Sequence, residues 1–131
     1  MIASAKPPIL TRAESEIMAR FWDVGPLTIL ELQSHLPGRA YTSLATLVKI
    51  LETKGYLRHA QTEGARAFVY QAAIPPDAAR RHHARDLVDR LFGGKPQELV
   101  AGLLSDEKLS RRELERLRAE IDARLARGSK R

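Results

Sequence analysis

Three four-residue words dictate where this chain starts its helices: Thr11-Arg12-Ala13-Glu14, Thr28-Ile29-Leu30-Glu31 and Ser110-Arg111-Arg112-Glu113. Each is a capping box, in which a hydroxyl and a carboxylate three residues apart satisfy backbone N–H donors that a helix start otherwise leaves open. Behind each box the apolar residues recur at helical spacing. Ile17, Met18, Phe21 and Trp22 share one face of a first helix, which Gly25-Pro26 stops. Ile29, Leu32 and Leu36 form the inward face of a shorter second helix closed by Pro37-Gly38, and Leu114, Leu117, Ile121 and Leu125 line one side of the last. A chain punctuated in this way is mainly helical.

Between the second and third boxes, Thr42 is expected to cap a helix whose stripe is Leu44, Leu47, Val48 and Leu51. It ends at Lys54-Gly55, with a cation at the negative pole and glycine beyond it. The period then changes. Residues Tyr56 to Gln61 and Arg66 to Ala72 are β-prone and are joined by Thr62-Glu63-Gly64-Ala65, the pattern of a hairpin. After Pro75-Pro76, Asp77 opens a long helix carrying Leu87, Val88, Leu91 and Phe92 up to Gly93-Gly94, and Pro96 to Leu104 forms a short apolar helix. Residues 1–9, with two prolines and no period, read as a flexible arm. The fold class is therefore mainly α with a small β-hairpin wing: a winged helix-turn-helix over residues 10–74 and a helical dimerisation domain over residues 75–131.

Composition narrows the function classes. The 131 residues contain no cysteine, which excludes a disulfide framework, a thiolate zinc site and a cysteine nucleophile. No apolar run approaches the roughly 20 residues of a spanning helix, and Met1 to Pro8 holds no signal-peptide core, so a cytoplasmic location is expected. The chain offers no Gly-rich phosphate loop, no HExxH and no GxSxG, so no enzyme is expected and no cofactor or metal is implied. His82 and His83 are adjacent on a helix, point about 100° apart and are poorly placed to chelate one ion. They are read as structural, as are His35 and His59, and Trp22 is read as core. The net charge is +6, of which +2 falls in residues 1–74 and +4 in residues 75–131. In the second half the bases are interleaved with acids, as in Arg111-Arg112-Glu113, which marks a solvated helix face.

The informative constellation is the second helix, the turn Pro37-Gly38-Arg39-Ala40-Tyr41 and the third helix. Two short helices joined by a tight turn let the first brace the second in the major groove of double-stranded DNA. With Leu44, Leu47, Val48 and Leu51 turned inward, Thr42, Ser43, Thr46, Lys49 and Ile50 are the candidate base-reading residues, with Thr53 beside them. Arg39, Tyr41 and Lys54 flank that face as candidate phosphate contacts, and Arg58 and Arg66 sit on the wing. The C-terminal half carries Leu87, Leu91, Phe92, Leu99, Leu103, Leu114, Leu117 and Ile121, too many apolar residues for three short helices to hide, so a homodimer is expected. Two rival readings are a ligand-sensing regulator with an effector between the domains and a winged helix that serves as a protein-interaction module.

The order and residues resemble the penicillinase and methicillin-resistance repressors of the BlaI/MecI type. The resemblance runs from Leu10 to about Leu125. It is carried by Leu10-Thr11 with Ala13-Glu14 and Glu16-Ile17-Met18, by Trp22 with Gly25-Pro26-Leu27-Thr28, and by Ala40-Tyr41-Thr42-Ser43-Leu44-Ala45-Thr46-Leu47. Further on it rests on Lys54-Gly55-Tyr56-Leu57, Arg66 with Tyr70, Leu91-Phe92-Gly93-Gly94, Glu98-Leu99-Val100 and Leu109-Ser110 with Glu113-Leu114-Leu117. It implies a dimeric repressor on a palindromic operator, often beside a membrane metalloprotease sensor whose signalling leads to repressor cleavage. Two positions depart from the pattern: Gly102-Leu103 stands where antibiotic-responsive members carry an Asn-Phe cleavage bond, and Ile50 where relatives usually have a basic or polar residue. Resistance to cleavage at Gly102-Leu103 is the expectation.

Overall fold

The computed structural model describes residues 7–60, 64, 66–106 and 108–128. The elements follow in the order α1 (Arg12–Val24), α2 (Ile29–His35), α3 (Tyr41–Lys54), β1 (Leu57–Ala60), β2 (Val69–Ala72), α4 (Pro76–Leu91), α5 (Pro96–Ser105) and α6 (Arg111–Gly128). The chain is mainly helical with one two-stranded antiparallel hairpin.

All three capping boxes close. The N–H of Glu14 donates to Thr11 Oγ1 at 3.2 Å and that of Thr11 to Glu14 Oε1 at 2.9 Å. The Thr28–Glu31 pair does the same at 3.1 and 2.8 Å, and Ser110–Glu113 at 3.1 and 2.8 Å. The start of α3 differs from expectation: its N-cap is Ala40, not Thr42, and no side chain caps it. The carbonyl of Ala40 already accepts from the Leu44 N–H at 3.0 Å, so the first turn closes around Thr42 and leaves it on the helix surface. At the other end Gly55 adopts φ 92°, a left-handed value that costs glycine nothing and lets the chain leave α3 for β1.

The packing divides the chain into two units, residues 1–84 and 85–131, with the division inside α4. In the first unit, Ile17, Met18 and Phe21 from α1, Leu32 from α2 and Leu44, Val48 and Leu51 from α3 are buried together with Leu27, Tyr56, Leu57 and Tyr70. Each such side chain contributes about 1.5–3 kcal/mol relative to exposure. β1 and β2 pair with Leu57 opposite Ala72, Arg58 opposite Gln71, His59 opposite Tyr70 and Ala60 opposite Val69. Leu27 adds a single antiparallel bridge to Tyr70, with its N–H donating at 2.9 Å and its carbonyl accepting at 2.8 Å. The turn expected at residues 62–65 lies outside the described residues except for Gly64.

The sequence pattern puts the seam at Pro75-Pro76, yet the first half of α4 packs with the first unit, because Ala79 joins that core and the next turn holds residues 7–10. The expectation of a flexible arm fails for Pro7 to Ile9. The Pro7 carbonyl accepts from His82 Nε2 at 2.6 Å, that of Pro8 from the Tyr56 hydroxyl at 2.7 Å, and that of Ile9 from Lys54 Nζ at 3.3 Å. The Leu10 N–H donates to His83 Nε2 at 2.9 Å, while His83 Nδ1–H donates to the Ala79 carbonyl at 2.7 Å. Proline offers carbonyl acceptors with no competing N–H, and side chains distant in sequence take them. Residues 1–6 of that arm lie outside the described residues.

The second unit is built differently. Gly93 and Gly94, with φ of 59° and 78°, turn the chain sharply after α4, and Pro96 opens α5 at a position where its missing N–H has no cost. Val88 is buried, but Leu91, Leu103 and Ile121 are 68%, 57% and 53% exposed, and Leu114, Leu117 and Leu125 are exposed as well. Among the described residues no helix is long and apolar enough to cross a membrane.

Candidate nucleic-acid interface

α3 is held by one face and offers the other. Leu44, Val48 and Leu51 are fully buried and Leu47 packs beside them, which rotates Thr42, Ser43, Thr46, Lys49, Ile50 and Thr53 outward. The five residues expected to read bases therefore share one surface, a consequence of the 3.6-residue period once the apolar stripe is anchored. Their chemistry is not uniform. Thr46 Oγ1 donates to the Thr42 carbonyl at 3.1 Å and Thr53 Oγ1 to the Lys49 carbonyl at 3.1 Å.

The turn before α3 is braced. The Arg39 N–H donates to the Leu36 carbonyl at 3.1 Å, and Gln33 Nε2 donates to the Arg39 carbonyl at 3.3 Å. The guanidinium of Arg39 donates to Glu16 Oε1 at 2.8 Å on α1. Both partners are partly exposed, and such a surface pair is worth at most about 1 kcal/mol, so a phosphate can take the guanidinium at small cost. Tyr41, at the start of α3, and Arg66, at the wing, come together on one open recess of about 380 Å³, whose other walls include Leu30, Phe68 and Tyr70. Arg58 is exposed on β1 and donates to the Gln71 side-chain oxygen at 2.9 and 3.2 Å in the amide orientation that satisfies both groups.

Lys54 requires a correction. The sequence reading puts it on the backbone of a nucleic acid, but its ammonium is turned into the protein, donating to Glu14 Oε1 at 2.6 Å and to the Ile9 carbonyl. Glu14 is 2% exposed. A buried carboxylate needs an opposite charge, and the end of α3 supplies the one within reach. Burial disfavours the charged form of Glu14, but the Lys54 hydrogen bond, the Thr11 N–H and the Lys54 charge outweigh it and hold the carboxyl below its usual range. Burial, with Glu14 nearby, pushes the Tyr56 hydroxyl up. The pair thus ties α1 to the exit of α3.

The wing has a support that sequence reasoning missed. The His59 ring stacks on Phe68 at 4.2 Å between centroids and lies 5.5 Å from Tyr70, and its Nδ1 contacts Glu52 Oε2 on α3. Phe68 immediately precedes β2 and Tyr70 lies within it; in the β-prone run expected from Arg66 to Ala72 residues two apart share a face, so the signal was present in the sequence. Burial raises the Tyr70 hydroxyl, reinforced by Glu52 and Tyr41. The rings of His82 and His83 stand with their planes at 83° and bind residues 7–10, and Trp22 Nε1 donates to the Ile74 carbonyl at 2.9 Å. Among the described residues no cluster of three or more His, Asp or Glu side chains is arranged to hold a metal.

A helix-turn-helix whose second helix exposes a polar face beside a hairpin defines the winged-helix class. Solved structures with the same fold include a mutant of MarR from E. coli complexed with operator DNA, at TM-score 0.51 and 18% identity over 88% of this chain and 76% of that one. The transcriptional regulator Tm0710 from Thermotoga maritima gives TM-score 0.51 and 21% identity over 92% and 80%. The YusO protein from Bacillus subtilis gives TM-score 0.51 and 19% identity over 90% and 75%. The family model of the penicillinase repressor matches residues 10–123. The chain belongs to the penicillinase repressor family, and it is a DNA-binding transcriptional regulator. A 16.5 kDa protein from the ptsI 3' region of Latilactobacillus sakei is 29% identical over 120 residues, 89% of this chain and 81% of that one.

Proposed function

We propose that the chain is a transcriptional repressor that binds a palindromic operator as a homodimer and blocks a promoter by occupying it. Residues 10–74 make the DNA contacts and the second unit, residues 85–131, supplies the dimer face. The observation that carries this reading is the split of α3 into a buried stripe and an exposed face of hydroxyls, Lys49 and Ile50, flanked by Arg39, Tyr41, Arg58 and Arg66. Thr42, Ser43, Thr46, Lys49 and Ile50 read base edges, while the flanking groups position the unit on phosphates. Lys54 takes no part in that contact, because its charge is spent on Glu14.

Dimerisation is supported by the exposed residues of the second unit. Leu91, Leu103, Leu114, Leu117 and Ile121 are exposed, and Leu87, Phe92 and Leu99 are half-buried. A second copy presenting the same face covers them and sets the spacing of two half-sites. Release does not proceed through cleavage of the Gly102–Leu103 bond. That bond lies within α5, which must unwind before a protease can take it, and it offers neither an amide nor an aromatic side chain.

Salt-dependent binding of the full chain to a cognate duplex tests the reading. Arg66→Ala should weaken cognate and random DNA alike and reduce the slope of log affinity against log salt by about 1, the signature of one lost phosphate contact. Affinity that does not change with salt would leave the protein-interaction reading in its place.

A further inference from the structure

The reading face of α3 divides chemically along its length. Thr42 and Ser43, in the first turn, are exposed, and no intramolecular acceptor for either hydroxyl is found among the described residues. Thr46 and Thr53 have given their hydroxyl protons to carbonyls one turn back. What Thr46 has left to offer a partner is its methyl group and oxygen lone pairs. One turn on, Ile50 is 39% exposed and purely apolar. Residues four apart on a helix are surface neighbours, so Thr46 and Ile50 make one small apolar step in the middle of an otherwise hydrophilic face.

Building on the DNA-binding reading, we infer that Thr46 and Ile50 form a thymine-reading step, which packs the Thr46 methyl and the Ile50 side chain against thymine C5-methyl groups in the major groove. The major-groove edge of a base pair carries one apolar group, the thymine methyl, and it is what an exposed isoleucine there can contact favourably. Cytosine presents an N4 donor, and guanine two acceptors, neither of which an isoleucine can satisfy. A basic residue at position 50 would instead favour guanine or a phosphate, so an isoleucine there selects the base accepted as well as the strength of binding. Thr42 and Ser43 retain the hydrogen-bond reading of the neighbouring base pair, and Lys49, beside the step, supplies charge.

The test uses the full-length chain and duplexes enriched by it from a random-sequence DNA pool. In an enriched duplex each thymine is replaced singly by deoxyuridine, which removes the C5 methyl and leaves every hydrogen-bonding group. At one or more thymines in each half-site the replacement should weaken binding about three- to tenfold. With Ile50→Ala and Thr46→Ser combined, a change at the exposed face that leaves the buried stripe untouched, the same replacement should change affinity less than about twofold. Circular dichroism of that variant confirms folding. Enriched duplexes that tolerate deoxyuridine at every position would overturn the thymine assignment while DNA recognition stood, as would a deoxyuridine effect undiminished in the double variant. A chain that enriches no sequence would overturn the inference together with the DNA-binding reading beneath it.

Discussion

The two units of this chain handle apolar surface in opposite ways. The first closes a core from α1, α2, α3 and the hairpin, with Ile17, Met18, Leu32, Leu44, Val48 and Leu51 fully buried. The second leaves leucines and isoleucine on α5 and α6 exposed, and Val88 is the one buried apolar residue among those described. A unit with its own core can present a rigid face to a ligand. Three amphipathic helices without one reach stability by completing their core with another surface. The closed core of the first unit thus suits the proposed recognition, and the open faces of the second suit the proposed assembly.

The largest effect should come from the core itself. Leu44→Ala removes a fully buried side chain under α3 and should cost about 3–4 kcal/mol at any protein concentration. Leu117→Ala should act differently: on the proposed homodimer its cost should appear as a change in how the unfolding midpoint depends on protein concentration, because the residue is exposed in the single chain. Thermal unfolding of both variants over a roughly hundredfold concentration range checks the contrast. Equal, concentration-independent losses would erase the distinction between the units.

Cutting the chain sharpens the same comparison. A fragment ending at Ala84 keeps Ala79 in the core and His82 and His83 on residues 7–10, and should fold as a monomer. Its affinity for a two-half-site duplex should fall about 100-fold or more, since the second half-site loses its effective concentration. A fragment ending at Ile74 lacks those contacts and should unfold at a lower temperature than the longer one. Sedimentation, duplex titration and calorimetry separate the outcomes, and two fragments of equal stability would remove the first half of α4 from the first unit.

Within the first unit, the Glu14–Lys54 clamp should be next in size. Glu14→Gln leaves Lys54 without its counter-charge and should cost about 2–3 kcal/mol. The folded state holds the Glu14 carboxyl below its unfolded range, so its contribution is present above that range and is lost as pH falls through the lowered folded value. The native chain should therefore lose stability on acidification more steeply than Glu14→Gln, as followed by unfolding midpoints from neutral pH down to about pH 3. The smallest effect belongs to the proposed base-reading face. Thr46→Ala should cost about 1 kcal/mol on a cognate duplex and less on random DNA, with no change in stability beyond a few tenths of a kcal/mol, because the residue is exposed.

Most of the element starts and the outward face of α3 were legible because they depend on neighbours in sequence. A capping box needs two side chains three residues apart, and a helix face needs only the period of the apolar residues, so Thr11, Thr28 and Ser110 and the outward set from Thr42 to Ile50 could be assigned without knowing what α3 packs against. The start of α3 was missed by two residues because Thr42 is a good capping residue, while the backbone of Ala40 closes the first turn without a side-chain cap. What the tertiary structure alone decided are pairings across long separations. Lys54 meets Glu14 rather than a phosphate, Leu27 bridges to Tyr70, and the carbonyls of Pro7, Pro8 and Ile9 are taken by His82, Tyr56 and Lys54. Nothing local identifies such partners. A buried carboxylate and unpaired carbonyls each require compensation, but which of several cations and donors supplies it depends on which side chains the packed helices bring within about 3 Å.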